Sequence, residues 1–519
     1  MRIASLLFII LIGLAGCGAT TPPEPPPAPA AHARIDSGAV RGRIEGALAV
    51  YRGIPYAAAP VAGLRWRPPQ PLSSWTSERP AERFGDDCPQ NRFLFDSAPS
   101  KQAMSEDCLY LNVWAPAARP ATRAPVMVWV HGGGFVTGSS APYDGSALAR
   151  QGVVVVTFNY RLGRFGFFAH PALIAEHPDE PAGDYGFMDQ IAALDWVRRN
   201  IAAFGGDPDN VTLFGESAGG GSVLALMGSP AARGLFHKAI VESGGGRDKL
   251  PRTTVDTADA LAAVKAGVAF AARAGLSRDG GSEALRALPA RTVLGDLNLL
   301  NNRDNATYSG PMVDGRVILD DPAEMFARGE TAALPLLIGA NDDELGSPWL
   351  GGWADAVVGK FGPREAGLRK AYDPDGGDRE LKAHILSDVI FIEPARHIAA
   401  LHAAQGRPVW LYRFSYVKQA DQAKRGGAGH ASEIPYVFDR VEAMVKGSTL
   451  ADQRMGATVS AYWTAFARTG APSPAGLPAW PVYAPKDDVF LEFADTGPRP
   501  IGEPHRARLD YIAASYPGR

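Results

Sequence analysis

The serine in Gly215-Glu216-Ser217-Ala218-Gly219 is the residue of this sequence best placed for covalent chemistry. It follows the β-like run Val211-Thr212-Leu213-Phe214. It precedes Gly220, Gly221 and a helix-compatible segment, Ser222 to Met227. The pattern predicts a strand, a sharp turn with the serine at its apex, and a helix. Such a turn requires very small residues two before and two after the serine, and both are glycine. Its geometry lifts the hydroxyl out of the sheet and aims the following backbone N–H groups at a substrate carbonyl. The chain holds 58 glycines, so a glycine-rich strand-to-helix turn without chemistry also fits this pentapeptide alone.

A serine hydroxyl is a weak nucleophile at neutral pH. It needs a base within hydrogen-bond reach, and the base needs an orienting group. Ten histidines are available. His32 lies in a proline-rich segment, and His170, His177 and His505 lie among prolines in surface-like stretches. His237, His384, His397 and His402 fall in helical or strand-entry segments. His131 belongs to a separate glycine motif. His430 remains, in the loop Gly426-Gly427-Ala428-Gly429-His430, after the predicted strand Pro408 to Tyr416. Between the serine and this histidine, Asn341-Asp342-Asp343-Glu344 ends the predicted strand that starts at Leu334. It offers three competing carboxylates, and composition does not choose among them. His131-Gly132-Gly133-Gly134-Phe135 follows the apolar run Val126 to Val130. Consecutive glycines let backbone N–H groups approach developing negative charge. The oxyanion donors are assigned to the N–H groups of Gly133, Gly134 and Ala218.

The elements that must hold these residues read as α/β. Val126 to Val130 and Val153 to Thr157 are continuous apolar runs, as expected for strands buried on both faces of a mostly parallel sheet. Lys238 to Glu242 is a further short strand. Asp189 to Asn200 has helical spacing, residues 255–300 read as helices, and 353–404 are mainly helical. Leu64 to Trp75, rich in Pro and Trp, reads as irregular surface. Strands alternating with helices imply a parallel sheet whose ligand site lies beyond the carboxyl ends of the strands.

With 519 residues, 46% of them hydrophobic, the chain can bury a large core. Its 52 basic and 55 acidic residues give a net charge of −3, and no long basic run points to nucleic acid. No fixed-period repeat is present. The N-terminus reads as a targeting segment: Met1-Arg2, then nine apolar residues, Leu6 to Leu14, too few to span a bilayer. It ends in Leu14-Ala15-Gly16-Cys17, which resembles the lipidation box of bacterial lipoproteins, with Cys17 as the lipidated residue. Residues 18–33 form a Pro/Ala-rich tether of polyproline II character, and 34–519 form one catalytic domain. The expected location is outside the cytoplasm, lipid-anchored on the periplasmic face of a membrane, in the outer membrane or at the cell surface. Gly18 after the cysteine leans toward the outer membrane. Among the three cysteines, Cys88 and Cys108 remain after Cys17. Export and the even count favour a disulfide between them over two buried thiols.

Two long stretches carry a family resemblance. Phe204 to Gly219 (FGGDPDNVTLFGESAG) and Glu106-Asp107-Cys108-Leu109-Tyr110-Leu111-Asn112 are similar to the signatures of type-B carboxylesterases, which include cholinesterases. The resemblance runs from about Gly38 to about Pro481. It implies the α/β-hydrolase fold, with a mostly parallel central sheet, helices on both faces and helical insertions around an active-site gorge. It also implies the pairing Cys88–Cys108, and it selects Glu344 as the triad acid with Asp343 in reserve. Gly429-His430-Ala431-Ser432-Glu433-Ile434-Pro435 is similar to the family's histidine loop, and carries over Glu433 as a buried carboxylate, along with Glu216 and Ser243. For these three, structural hydrogen bonding and a direct part in catalysis both stay open. The implied activity is hydrolysis of small-molecule carboxylic esters through an acyl-enzyme, with no metal or organic cofactor. An amidase, carbamate hydrolase or lipase on the same triad is the alternative. A non-catalytic binding module is disfavoured by the retained Ser217, Glu344, His430 and glycine donors. Phe135, Tyr308, Trp349 and Phe391 are candidates for the pocket wall, and the partner implied is a small ester alone.

Overall fold

A computed structural model of the chain describes residues 29–92, 98–118, 122–277, 281–303, 305–346 and 350–516. The signal segment, Cys17, the tether as far as residue 28 and Trp349 lie outside the described residues. The strands are β1 (Ala30–Ile35), β2 (Gly38–Glu45), β3 (Leu48–Pro55), β4 (Arg79–Pro80), β5 (Tyr110–Pro116), β6 (Ala124–Val130), β7 (Val154–Phe158), β8 (Gly206–Glu216), β9 (Lys238–Glu242), β10 (Leu336–Asn341), β11 (Val409–Phe414), β12 (Val489–Ala494) and β13 (Gly497–Gly502). They form one sheet in the order β1-β2-β3-β5-β7-β6-β8-β9-β10-β11-β12-β13, with β4 against β2. From β7 to β12 every neighbouring pair is parallel, and the flanking pairs are antiparallel except for the short parallel pairing of β4 with β2.

Alternation along the central strands divides the core between two faces. Val126, Val128 and Val130 of β6 join Val211 and Leu213 of β8 in one apolar cluster. The helices Tyr185–Asn200, Ala218–Gly228 and Glu393–Ala404 cover it through Leu194, Val223 and Ile398. Met127 and Trp129 of β6 and Phe214 of β8 point the other way, onto Val459, Tyr462, Trp463 and Phe466 of the helix Leu450–Thr469. That helix is defined at both ends by its sequence. Thr449 and Asp452 make a reciprocal capping box, and Gly470 closes it at φ 79°. Two smaller clusters are built around Phe165, Phe167 and Phe187, and around Leu368, Leu381 and Ile385.

The structure differs from the sequence reading in four places. Strand β1 already includes Ala30 to Ala33, assigned above to the tether, because these residues pair with Val40 to Arg43 of β2. The stretch Leu64 to Trp75 is irregular but not all surface. Trp66 is 1% exposed and donates its indole N–H to the Arg164 carbonyl at 2.6 Å. Within 255–300 the α-helical parts among the described residues are Ala263–Arg273, Gly281–Arg286 and Ala290–Leu294. Strands β12 and β13 follow the histidine loop, so β11 is interior and gains a parallel neighbour in β12.

Cys88 and Cys108 are disulfide-bonded, closing a loop over a sequence separation of 20. A loop of that length is worth roughly 3 kcal/mol in the chain-entropy account. Urea unfolding of the Cys88→Ser/Cys108→Ser protein is expected to show a loss of about 2–4 kcal/mol, with a somewhat larger m-value because the unfolded chain is no longer cross-linked. An unchanged unfolding free energy would show that the covalent loop adds nothing to stability.

Candidate active site

Strand β8 runs straight into the turn that carries Ser217. Ser217 sits at φ 54° and ψ −121°, a conformation that side-chain-bearing residues rarely adopt. Its neighbours make that turn possible. A Cβ on Gly219 would meet the Val130 carbonyl oxygen at 2.0 Å, and one on Gly215 would meet the Gly219 backbone at 2.7 Å. The Ser217 N–H donates to the Glu242 carbonyl at the end of β9 at 2.9 Å. The turn is therefore clamped between β6 and β9, and the helix Ala218–Gly228 starts directly from it.

Three strand ends deliver three side chains to one point. His430 Nε2 lies 3.0 Å from Ser217 Oγ, and His430 Nδ1 lies 2.5 Å from Glu344 Oε2. Partner chemistry fixes the neutral tautomer: Nδ1–H donates to the carboxylate, and Nε2 accepts from the hydroxyl. The His430 side chain is 27% exposed while that of Glu344 is fully buried. The backbone joins the same two residues, since His430 N–H donates to the Glu344 carbonyl at 3.0 Å. Phe391, in a π-helical turn Asp388–Ile392, stacks on the imidazole with centroids 4.7 Å apart. Asp343, the reserve acid, instead donates its N–H to the Ala428 carbonyl, and Asp342 Oδ1 accepts from Ala428 N–H at 2.7 Å. These two aspartates hold the glycine-rich loop, and Glu344 faces the ring.

The remaining carried-over residues surround that line. Ser243 Oγ donates to Glu344 Oε1 at 2.5 Å, and Asn341 N–H donates to the same oxygen at 2.8 Å. Glu433 Oε2 accepts from Asn341 Nδ2 at 2.5 Å, and Asn341 Nδ2 also donates to the Gly429 carbonyl. Glu216 Oε1 lies 3.2 Å from His430 Nε2. Burial opposes protonation of His430, but Glu216, then Glu344 and Glu433, outweigh it and raise the imidazole's basicity. Burial lifts the Glu433 carboxyl to about 7, with Glu344 adding to the rise.

Three contributors escaped the sequence reading. Asn341 is fully buried and ties the acid strand to the histidine loop through one amide. Glu242 is fully buried, and Trp463 Nε1 donates to its Oε1 at 2.8 Å. Burial, reinforced by Glu433 and Glu216, raises the Glu242 carboxyl well above the usual carboxylate range, which favours its neutral form. Asn341 had a signal in the Asn-x-x-Glu spacing. Glu242 and Trp463 had none, being 221 residues apart in sequence.

The glycine loop lies against the nucleophile. A Cβ on Gly132 would stand 3.1 Å from Ser217 Cβ. Gly133, Gly134 and Phe135 have φ of 102°, 60° and 62°, so the chain coils tightly past the serine. The N–H groups of Gly133, Gly134 and Ala218 find no acceptor among the described residues. Ala218 is the first residue of its helix, where the N–H has no intrahelical partner. His131 is buried and stacked on Tyr160, whose hydroxyl donates to the His131 carbonyl at 2.9 Å. Burial lowers His131 to about 4, so it is neutral. Of the aromatic candidates, Phe391 borders the imidazole and Phe135 approaches the nucleophile helix, 3.8 Å from where a Gly221 Cβ would stand. Tyr308 is 7% exposed, inside the third apolar cluster. Among the described residues no group of His, Cys, Asp and Glu is arranged to hold a metal ion.

A mostly parallel sheet carrying a serine on a strained strand-to-helix turn, with an imidazole and a carboxylate on later strand ends, is an α/β-hydrolase. A solved PNB esterase has this fold, with a TM-score of 0.80 at 33% identity over 94% of this chain and 99% of that one. The chain matches the model of the carboxylesterase family over residues 29–355 and 370–508. It is 37% identical to the para-nitrobenzyl esterase of Bacillus subtilis (strain 168), over 86% of this chain and 91% of that protein. It is 35% identical to the fumonisin B1 esterase of Sphingopyxis macrogoltabida, over 89% of this chain and 86% of that protein. The chain belongs to the carboxylesterase family and is a carboxylic ester hydrolase.

Glu216 generates a test through pH. A protonated His430 cannot act as a base, and the Glu216 carboxylate favours that protonated form. In Glu216→Gln the imidazole loses its proton more readily, so the acid limb of kcat/KM is expected to move to lower pH. A limb that stays in place or moves upward would show that Glu216 does not set the basicity of His430.

Proposed function

We propose that the chain hydrolyses small-molecule carboxylic esters through an acyl-enzyme on Ser217, with His430 as base and acid and Glu344 as its orienting carboxylate. The observation that carries this reading is the unbroken hydrogen-bonded line Ser217 Oγ, His430, Glu344, with gaps of 3.0 and 2.5 Å, beside three N–H groups without acceptors among the described residues.

The steps follow from that geometry. His430 Nε2 removes the Ser217 proton as Oγ bonds to the ester carbonyl carbon. The carbonyl oxygen becomes an oxyanion and accepts from the N–H groups of Gly133, Gly134 and Ala218, at about 3 kcal/mol of transition-state stabilisation per donor. Collapse breaks the bond to the alcohol oxygen, which takes the proton from His430. Water then enters, gives its proton to His430, and attacks the acyl carbon. The second collapse frees the acid and returns the proton to Ser217. Throughout, Glu344 holds Nδ1–H and stabilises the imidazolium while staying ionised. Ser243 and the Asn341 N–H occupy Glu344 Oε1, which leaves Oε2 for the ring. Relatives named for fumonisin B1 and for para-nitrobenzyl esters support a small-molecule ester as the substrate class.

The cellular setting belongs to the same proposal. The box ending in Cys17 and the proline-rich run after it support export and lipid anchoring, with the catalytic body held off a membrane surface.

Stopped-flow assays with p-nitrophenyl esters from acetate to palmitate are expected to show a burst of p-nitrophenol that Ser217→Ala abolishes. Turnover by Ser217→Ala would overturn the acyl-enzyme mechanism. Folded wild-type protein inert on all esters but active on amides would redirect the reading to an amidase. In a bacterial host, wild-type chain is expected to incorporate labelled fatty acid and sediment with membranes, and Cys17→Ser to do neither. Equal partitioning of both would overturn the anchor.

A further inference from the structure

The turn that carries the glycine donors is latched by a side chain that no part of the ester chemistry requires. Gln90 is 4% exposed and sits two residues after the disulfide-bonded Cys88. Its Oε1 accepts from Thr137 Oγ1 at 2.7 Å and from Gly138 N–H at 2.9 Å. Its Nε2 donates to the Gly138 carbonyl at 2.7 Å and to the Cys88 carbonyl at 3.1 Å. A carboxamide offers two donors and two lone pairs, and all four are in use.

Gln90 thus grips Thr137 and Gly138, and Thr137 in turn grips the donors. The N–H groups of Val136 and Thr137 both donate to the Gly133 carbonyl, at 3.1 and 3.0 Å. That carbonyl belongs to the same planar peptide unit as the Gly134 N–H. Fixing the oxygen therefore fixes the direction in which the Gly134 N–H points. The turn has no slack: a Cβ on Gly133 would stand 2.1 Å from the Thr137 carbonyl oxygen. A separate hold acts from the opposite side, where Asn302 Nδ2 donates to the Gly134 carbonyl at 3.0 Å.

We propose that Gln90 is a positioning residue for the oxyanion site, and that it couples the Cys88–Cys108 disulfide to the rate of acyl transfer. The proposal rests on the reading of the Gly134 N–H as an oxyanion donor. The disulfide anchors the base of the Gln90 segment beside β5. The Gln90 amide passes that constraint to Thr137, and the Gly133–Gly134 peptide receives it. Orientation of this kind acts on the transition state, where negative charge sits on the carbonyl oxygen, and leaves ground-state ester binding nearly untouched.

The test uses full-length protein and two near-isosteric variants, Gln90→Met and Thr137→Val. Each is assayed on p-nitrophenyl butyrate, and each is titrated with an aryl trifluoromethyl ketone, which forms a hemiketal oxyanion, and with the matching methyl ketone. Deleting an oxyanion donor outright costs 10²–10³-fold in kcat, so loosening one donor with Asn302 still in place is expected to cost roughly tenfold. KM is expected to stay within about twofold, and trifluoromethyl ketone affinity to fall with kcat while methyl ketone affinity holds. Because both residues act through one chain of contacts, the double variant is expected to lose about as much as either single variant. Cys88→Ser/Cys108→Ser is expected to lower kcat in the same way, with little further loss on adding Gln90→Met.

A lowered Tm with unchanged kcat and unchanged ketone discrimination would reduce Gln90 to a structural filler and overturn the proposal. Multiplying losses in the double variant would also overturn it. Thr137→Val removes a single hydroxyl and carries the test if Gln90→Met does not fold. Turnover by Ser217→Ala would break the underlying catalytic reading instead, whereas an inert Ser217→Ala beside fully active Gln90→Met and Thr137→Val would break only this inference.

Discussion

The structure depends on the close approach of backbone to backbone at the Ser217 turn. Ser217 is held at φ 54° because Gly215, next to last in β8, packs on the backbone of Gly219, second in the helix, and Gly219 presses on the Val130 carbonyl. Such a conformation costs of order 1–3 kcal/mol and persists only where its surroundings over-determine it. Here β6 lies on one side of β8 and β9 on the other, both parallel to it and both buried. The two-faced core is what fixes those strands: Val128 and Leu213 lie in one apolar cluster, Trp129 and Phe214 in the other. The strain at the serine is carried by the packing of the whole sheet.

The same parallel sheet solves the problem of convergence. Ser217, Glu344 and His430 follow β8, β10 and β11, whose carboxyl ends lie along one edge. Parallel pairing of β9 with β10 and of β10 with β11 sets the stagger of those ends. The acid loop and the histidine loop are then tied directly together, by Asn341 to Gly429 and Glu433, and by Asp342 and Asp343 to Ala428. Little freedom is left in the distance between the carboxylate and the imidazole.

Four buried glutamates cluster at the site, three of them acting on the His430 imidazole, and would repel one another if all were ionised. Burial resolves this by separating their roles. Glu344 accepts from Ser243, from the Asn341 N–H and from His430, a set of donors suited to a carboxylate. Glu242, with Trp463 as its donor, is pushed by burial toward the neutral form. Glu216 stands at the nitrogen that faces the serine and raises its basicity. One residue type thus supplies an anion, a neutral group and an electrostatic bias, according to its neighbours.

Local sequence patterns made the candidate catalytic residues legible. The glycines flanking Ser217 declare a turn that only glycine tolerates, and the three consecutive glycines after His131 declare a close backbone approach. The apolar runs at β6 and β7 marked strands buried on both faces, because burial on both faces removes the need for polar residues. Short-range patterns of this kind are local, so a sequence carries them. It also marked Glu344 and His430, through position after a strand and through the resemblance of their loops. Packing, and no local pattern, selects the partners brought together from far along the chain. Glu242 meets Trp463 and Thr137 meets Gln90 because a sheet of this order folds them together, and nothing in their local sequences encodes the pairing. The pattern of β12, Val489-Phe490-Leu491-Glu492-Phe493-Ala494, acquires meaning as a strand only when β11 offers it a parallel neighbour and β13 an antiparallel one. Trp66 was read as surface because prolines surround it, and its burial is set by Arg164 and Phe168, about a hundred residues away. Contacts across such separations are fixed by packing, which is a property of the folded chain and not of any one stretch of it.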